Sequence, residues 1–331
     1  MKHESLLNES EKKAASLLHE IYPYRITNHL EKLITSTKDI GLRKQFIPQQ
    51  NELQYYEKEF TDVCEEKNSD FFGVIQKYPN KILLMLTYEC FGNCRFCFRR
   101  GIDEYSKISK ENFARSLKYI TDNSINEVIL SGGDPLILKH SLLIDYIRQI
   151  SQIQSVNIIR IHTRALTFDP NQISEELLVD LSTIEKTIFF VFHINQYEEI
   201  SRDFAEKTKQ IRKHGFLMFS QTALLKGIND TREKLQDLFQ NLLILGVKPY
   251  YLFHTDPVSG IGHFRVSLKN GIDLYKSIYN SISGLAIPIY LMNVPPGHGH
   301  VIIDLQNIFH IEGSKYLIKT WQGEEIEYYD I

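Results

Sequence analysis

Lys81-Ile-Leu-Leu-Met-Leu-Thr87 runs directly into Tyr88-Glu-Cys90-Phe-Gly-Asn-Cys94-Arg-Phe-Cys97. The first part is a short, continuous apolar run, the pattern of a strand buried on both faces. The second part sets three thiols in a C-x3-C-x2-C spacing on one tight loop. Three thiolates on such a loop can hold three corners of a cubic [4Fe-4S] cluster, leaving the fourth iron free for a small molecule to chelate. Zinc is the competing reading, but a structural zinc site wants four closed ligands, usually in two paired motifs. The chain has four cysteines, and the fourth, Cys64, stands alone on what reads as a helix, where a small buried apolar role is expected. A fourth ligand from the 12 histidines is not signalled.

Outward from this loop, short apolar runs at 82–87, 127–130, 156–162, 187–193, 216–222 and 249–253 alternate with helical patterns near 109–121, 140–153, 172–183, 198–213 and 231–244. Continuous strands joined by helical crossovers predict a parallel sheet. Six such units exceed a small open sheet and fall short of an eight-fold barrel. The expected fold class is therefore α/β, a partial, open (βα)6 TIM-like barrel, with a doubly wound sheet as the competitor. Residues 1–80 read as a mostly helical N-terminal region, with a helix from Ser10, a break at Pro48 and a polar helix over 52–66. Residues 81–255 form the expected barrel. Residues 256–331 form a small C-terminal cap completing the substrate site, with a helix near 267–281 and short strands near 289–293, 301–303 and 317–328.

Composition narrows the class of function. Of 331 residues, 43% are apolar, enough for a large core. Lys+Arg number 38 against 41 Asp+Glu, so a nucleic-acid or anionic-membrane partner has no electrostatic basis. The N-terminus is polar through Lys13, unlike a signal peptide, and no window approaches ~18 uninterrupted apolar residues. A reducing cytoplasm is expected, because oxidation would cross-link the three clustered thiols. A homo-oligomer is compatible with this composition.

The second apolar run ends Ile129-Leu-Ser-Gly-Gly-Asp-Pro-Leu136. Gly132 and Gly133 remove side chains where backbone must approach a ligand, and Asp134 can accept from an ammonium group. Following the cysteine loop, this pattern resembles the radical S-adenosylmethionine (SAM) superfamily. The resemblance implies that SAM chelates the open iron through its amino and carboxylate groups. One-electron reduction then yields a hydrogen-abstracting 5′-deoxyadenosyl radical. The resemblance further implies a one-electron reductant of flavodoxin or ferredoxin type.

Further stretches narrow the resemblance: Arg43-Lys-Gln-Phe-Ile-Pro48, Lys77-Tyr-Pro-Asn-Lys81, Arg160-Ile-His-Thr-Arg164, Gln221-Thr-Ala-Leu-Leu-Lys-Gly-Ile-Asn-Asp230, Lys248-Pro-Tyr-Tyr251 and Gly262-His-Phe-Arg265. In order and spacing they are similar to the lysine 2,3-aminomutase family over nearly the whole chain. That family moves an amino group with pyridoxal phosphate (PLP) as a second cofactor. The resemblance implies that Cys90, Cys94 and Cys97 bind the cluster. It places Gly132, Gly133, Asp134, His193 and Gln221 around SAM. It puts Arg99 near the substrate carboxylate and Asp256 against a distal ammonium.

The chain departs from the family at one cofactor. The loop that leads to the PLP lysine reads Asn293-Val-Pro-Pro-Gly-His-Gly-His300. A second substrate aspartate has become Asn293, and the PLP lysine has become His300. An imidazole cannot form an imine with an aldehyde. The two arginines expected before the cluster strand are Lys77 and Lys81, possible anion-binding points rather than bidentate forks. Phe253 replaces a tyrosine beside PLP. Lys226, Lys248, Lys269 and Lys315 are the candidates to replace the lost lysine. His298 and His300 as a second metal site is the other alternative.

The expectation is thus a PLP-independent radical SAM enzyme. It abstracts hydrogen from a free basic amino acid, arginine or lysine, bound by Arg99, Asp256 and Asn293. Desaturation or elimination (oxidoreductase or dehydratase chemistry) or isomerisation would follow. The alternatives are a PLP-dependent 2,3-aminomutase, a branch that modifies a lysine on a translation factor, and a non-catalytic homologue holding iron–sulfur or zinc.

Overall fold

The structure is a computed structural model that describes residues 3–56, 58–66, 73–100 and 107–331. Three short helices lead: α1 (Glu9–Leu17), α2 (Asn28–Thr37) and α3 (Ile40–Phe46). Side chains of Asn8, Thr27 and Asp39 accept from the N–H groups of Glu11, Leu30 and Leu42. These bonds satisfy donors that have no partner inside each helix. The apolar faces of α2 and α3 bury Leu30, Ile34, Leu42 and Phe46 together with Phe168.

The helix expected over 52–66 does not form in its described residues. Gln50–Leu53 is a single 3-10 turn, and Phe60 bridges to Val258 instead. The window lacks a continuous apolar stripe, and its Glu52 is drawn inward to Arg95 and Arg100. Cys64 therefore lies on a turn, packed at the edge of a cluster with Val63 and Phe264. A strand also interrupts the expected helical region: β1 (Val74–Tyr78) pairs antiparallel with β2 (Lys81–Thr87) across Pro79-Asn80. Two strand-like runs flanking a Pro-Asn turn are a hairpin signal that helical patterning obscured.

After β2 come α4 (Lys110–Asp122), β3 (Glu127–Gly132), α5 (His140–Ser151), β4 (Ile158–Thr163), α6 (Ala165–Phe168) and α7 (Glu175–Ser182). Then follow β5 (Thr187–His193), α8 (Arg202–Lys213), β6 (Leu217–Leu224), α9 (Arg232–Ile244), β7 (Val247–His254) and α10 (Leu268–Tyr279). The last strands of the sheet are β8 (Ile289–Asn293) and β9 (His300–Ile302). Strand order is β1 to β9 without reversal, and β2 to β8 are parallel. A doubly wound sheet reverses its order at a switch point. This one adds each strand to the same edge and curls into a half-barrel. The six expected strands stand, and β8 from the tail extends them to seven.

The expectation of strands buried alike on both faces needs correcting. Burial alternates along β3 and β4: Val128, Leu130, Ile159 and Ile161 are buried against the helices, while Ile129, Arg160 and His162 between them are less covered. Successive side chains point to opposite faces of a strand, so the second set lines the barrel interior. That interior is polar at both ends, from Lys81, Glu127 and Arg160 to His193 and Gln221. The tail makes a separate antiparallel meander of β10 (Ile308–Glu312), β11 (Lys315–Lys319) and β12 (Glu325–Tyr329) rather than one strand over 317–328. Among the described residues, no helix is long and apolar enough to cross a membrane.

Candidate cluster and substrate site

The loop after β2 is held from outside and from below. The Asn93 N–H donates to the Arg25 carbonyl (2.9 Å), its side-chain amide to the Pro23 carbonyl (2.9 Å), and the Arg95 N–H to the Gln45 carbonyl (2.8 Å). The Arg95 side chain is fully buried and forks onto Glu52 at 2.6 and 2.9 Å. Arg100 reaches the same carboxylate at 2.9 Å. Buried charges of this kind persist only when paired and hydrogen-bonded, so Glu52 ties the C-terminal half of the cysteine loop and the residues after it to one point.

The Gly-Gly-Asp turn is stitched to that loop. The Gly133 N–H donates to the Thr87 carbonyl and the Asp134 N–H to the Glu89 carbonyl, both at 2.8 Å. A Cβ on Gly133 would lie 2.2 Å from the Glu89 oxygen, so only glycine permits this approach. Gly132 has φ +111°, a left-handed conformation. Asp134 is buried, and burial pushes its carboxyl up to about 6 despite its donors. Those donors are the Thr163 hydroxyl at 2.8 Å and the N–H groups of Arg164 (2.8 Å) and Leu136 (3.1 Å). Asp134 thus also braces the ends of β3 and β4. His193 and Gln221 face each other in register on β5 and β6. Burial takes the His193 imidazole down to about 3, and its Nε2 donates to Asn195 at 3.0 Å.

The thiols of Cys90, Cys94 and Cys97 are free. Burial raises the Cys90 thiol well above its ordinary value and Cys94 to about 11, and in both cases the neighbouring cysteines add to the shift. Three mutually interacting soft donors on one loop fit a cluster. Three thiols on one loop also fall one ligand short of a closed structural zinc site. Arg164, quoted above only as part of a motif, is a site residue that the sequence reading left without a role. Its Nη1 donates to the Cys94 sulfur at 2.8 Å and its Nη2 to Glu199 at 2.7 Å.

Across the barrel, Asp256 follows β7 and Asn293 ends β8. The Asn293 amide donates to both Asp256 oxygens at 3.0 and 3.2 Å. Burial raises the Asp256 carboxyl to about 7, with the Asn293 amide, Arg265 and Arg99 opposing and Glu66 adding. Arg99 is already partnered: its Nε and Nη2 fork onto Glu66 at 2.6 Å each, and its Nη1 reaches the Gly132 carbonyl at 3.4 Å. Glu66 is a second residue that sequence reasoning missed, since nothing in its local pattern marks it. His300 lies in register with Asn293, and its N–H donates to the Tyr78 hydroxyl at 2.8 Å. The rings of Tyr78, Tyr251 and Phe253 surround its imidazole, with centroids at 6.2, 6.2 and 5.3 Å. Burial, then Lys81 and Arg160, bring it down to about 4.

The structure separates the two lysines read as anion-binding. Lys81 lies beside Arg160 and over the Tyr78 ring, and burial lowers its pKa. Lys77 lines a cleft with Glu65, Gly297, His298 and Trp321. Of the candidate replacement lysines, Lys248 is bound to the carbonyls of Pro249 and Ile287, Lys315 pairs with Glu327, and Lys226 and Lys269 are exposed.

Comparison with known proteins gives the following. The radical SAM superfamily model matches residues 84–239. An L-lysine 2,3-aminomutase of Buchnera aphidicola subsp. Baizongia pistaciae is 36% identical over 265 residues, covering 79% of this chain and 78% of that protein. A glutamate 2,3-aminomutase of Clostridioides difficile is 31% identical over 289 residues, covering 86% and 68%. Among solved structures, Streptococcus suis SuiB bound to S-adenosylmethionine superposes with a TM-score of 0.51 at 15% identity over 65% of this chain, which spans 51% of SuiB. That likeness supports the fold.

Proposed function

The chain belongs to the lysine 2,3-aminomutase family of the radical SAM superfamily, and from that premise we propose that it is a radical enzyme acting on a free basic amino acid without PLP. Its cofactors are a [4Fe-4S] cluster and SAM. In this reading Cys90, Cys94 and Cys97 hold the cluster, while Gly132, Gly133, Asp134, His193 and Gln221 surround SAM. When bound and reduced by one electron, these cofactors supply a hydrogen-abstracting adenosyl radical.

The observation that carries the PLP-free reading is His300. The residue standing in the family's lysine position is an imidazole enclosed by three aromatic rings, and none of its nitrogens can form an imine. No step is therefore assigned to PLP. On the substrate side, Asp256 presents a carboxylate steadied by the Asn293 amide, which suits one cationic group, ammonium or guanidinium. Arg99, held by Glu66, offers its remaining donors to a carboxylate beside the Gly132 carbonyl. Without a cofactor to carry nitrogen, the substrate radical would either lose a proton and pass one electron to the oxidised cluster, giving a desaturated product, or expel water or ammonia, the product radical then taking one electron from the external reductant and a proton.

The test is anaerobic reconstitution with iron, sulfide, SAM and reductant, with PLP withheld and each basic amino acid supplied in turn. Formation of 5′-deoxyadenosine with a product lighter by two mass units, or by the mass of water or ammonia, supports the reading. The names of the relatives favour a second reading, an aminomutase. An unchanged product mass that appears only when PLP is added supports that one.

A further inference from the structure

We infer that Arg164 is a positioning residue for the cluster: its guanidinium, clamped by Glu199, donates a hydrogen bond to the Cys94 sulfur and sets the reduction potential of the cluster on it. This rests on the assignment of Cys94 as a cluster ligand, and the experiment below separates the two.

The geometry leaves Arg164 little freedom. It directly follows β4, and its N–H is fixed on Asp134 at 2.8 Å. The side chain distributes its donors among Cys94 Sγ (2.8 Å), Glu199 (2.7 Å), Gln45 (3.3 Å) and the His193 carbonyl (3.2 Å). Glu199 is fully buried and in turn accepts from the Thr167 hydroxyl at 2.7 Å, the Gln45 amide at 3.1 Å and the Asn195 N–H at 2.8 Å. The rings of Phe46, Phe96 and Phe168 lie 5.0, 5.2 and 5.8 Å from the guanidinium carbon and exclude water from its faces. A planar fork can serve four acceptors at once; a lysine, as a point charge, cannot.

The chemistry follows from this placement. Charge added to an iron–sulfur centre spreads over its sulfurs. Hydrogen-bond donors and positive charge at a ligating sulfur favour the more negative state and raise the potential, and a low-dielectric surrounding strengthens both. Glu199 opposes that effect with a full negative charge one guanidinium away. The pair therefore acts as a bias of two opposite terms. Removing each member should move the potential in opposite directions, which a purely structural clamp would not do.

The experiment is an EPR-monitored redox titration, without SAM or substrate, of anaerobically reconstituted wild type, Arg164→Gln, Arg164→Lys and Glu199→Gln, with iron and sulfide measured in each. At the wild-type midpoint, Arg164→Gln is expected to show an about tenfold lower reduced-to-oxidised ratio, about 59 mV for one electron. Glu199→Gln is expected to shift the ratio upward by a similar factor, and Arg164→Lys to fall between wild type and Arg164→Gln. If Arg164→Gln takes up no cluster, the other two variants decide. Shifts of the same sign, or none at wild-type iron content, overturn the inference. Wild-type protein that binds no cluster, or Cys94→Ala that keeps the full complement, overturns the ligand assignment instead.

Discussion

Asp256→Asn tests the substrate end of the site. Burial and its neighbours hold the Asp256 carboxyl at about 7 against an ordinary 3.8. Ionising it inside the barrel therefore costs about 4 kcal/mol more than in water. A ligand ammonium or guanidinium about 4 Å away contributes about 4 kcal/mol at an effective dielectric of about 20, enough to offset that cost. Cation binding should then ionise Asp256. It should release about nine-tenths of a proton at pH 6 and about one-tenth at pH 8. Over the same range the affinity for arginine or lysine should rise about tenfold. Anaerobic titration calorimetry of the cluster- and SAM-loaded protein, in two buffers of different ionisation enthalpy, counts the protons. Asp256→Asn should lose the linked proton. It should also lose about 1.5–3 kcal/mol of affinity at pH 8, roughly 10- to 150-fold. Citrulline, a neutral analogue of arginine, should bind wild type and variant alike. Proton release that persists in Asp256→Asn, or wild-type affinity that is flat from pH 6 to 8, would refute this reasoning.

Three further outcomes are expected. The same carboxyl binds its proton more tightly folded than unfolded, so it makes unfolding free energy fall as pH rises from about 4 to about 7; denaturant melts of Asp256→Asn should show a shallower decline across that window. Glu52→Gln leaves Arg95 and Arg100 short of a buried partner and should cost about 3–5 kcal/mol in the same melts, with lower iron content after reconstitution; a loss under 1 kcal/mol would mean the pair does not anchor the loop. Gly133→Ala drives a Cβ into backbone at Glu89 and Tyr88, so SAM binding by equilibrium dialysis should weaken at least tenfold while far-UV circular dichroism stays native; unaltered SAM affinity would show that the turn has room to yield.

Much of the fold was legible because its determinants are local in sequence. The apolar runs and intervening amphipathic segments marked six strands and their crossovers, and the cysteine spacing marked the loop that follows the first of them. The failures also have local causes. The strand-like run Val74–Tyr78 is short and follows a stretch patterned as helix, so β1 was hidden. The charged stretch from Glu52 to Glu66 resembled a polar helix, although its Glu52 is held by two arginines that follow it by more than 40 residues.

The candidate site divides in the same way. Residue type and spacing by themselves determined the three thiols, the glycines of the Gly-Gly-Asp turn and the presence at position 300 of an imidazole, which cannot form an imine. Those are properties of the atoms present, whatever surrounds them. Only the tertiary structure decided which charges meet. It joined Arg99 to Glu66, Asn293 to Asp256, and Arg164 to both Cys94 and Glu199. The physical reason is that the affinity of a buried ionic group for its proton or its ligand depends on partners that curling the sheet brings together, and no periodicity along the chain encodes them.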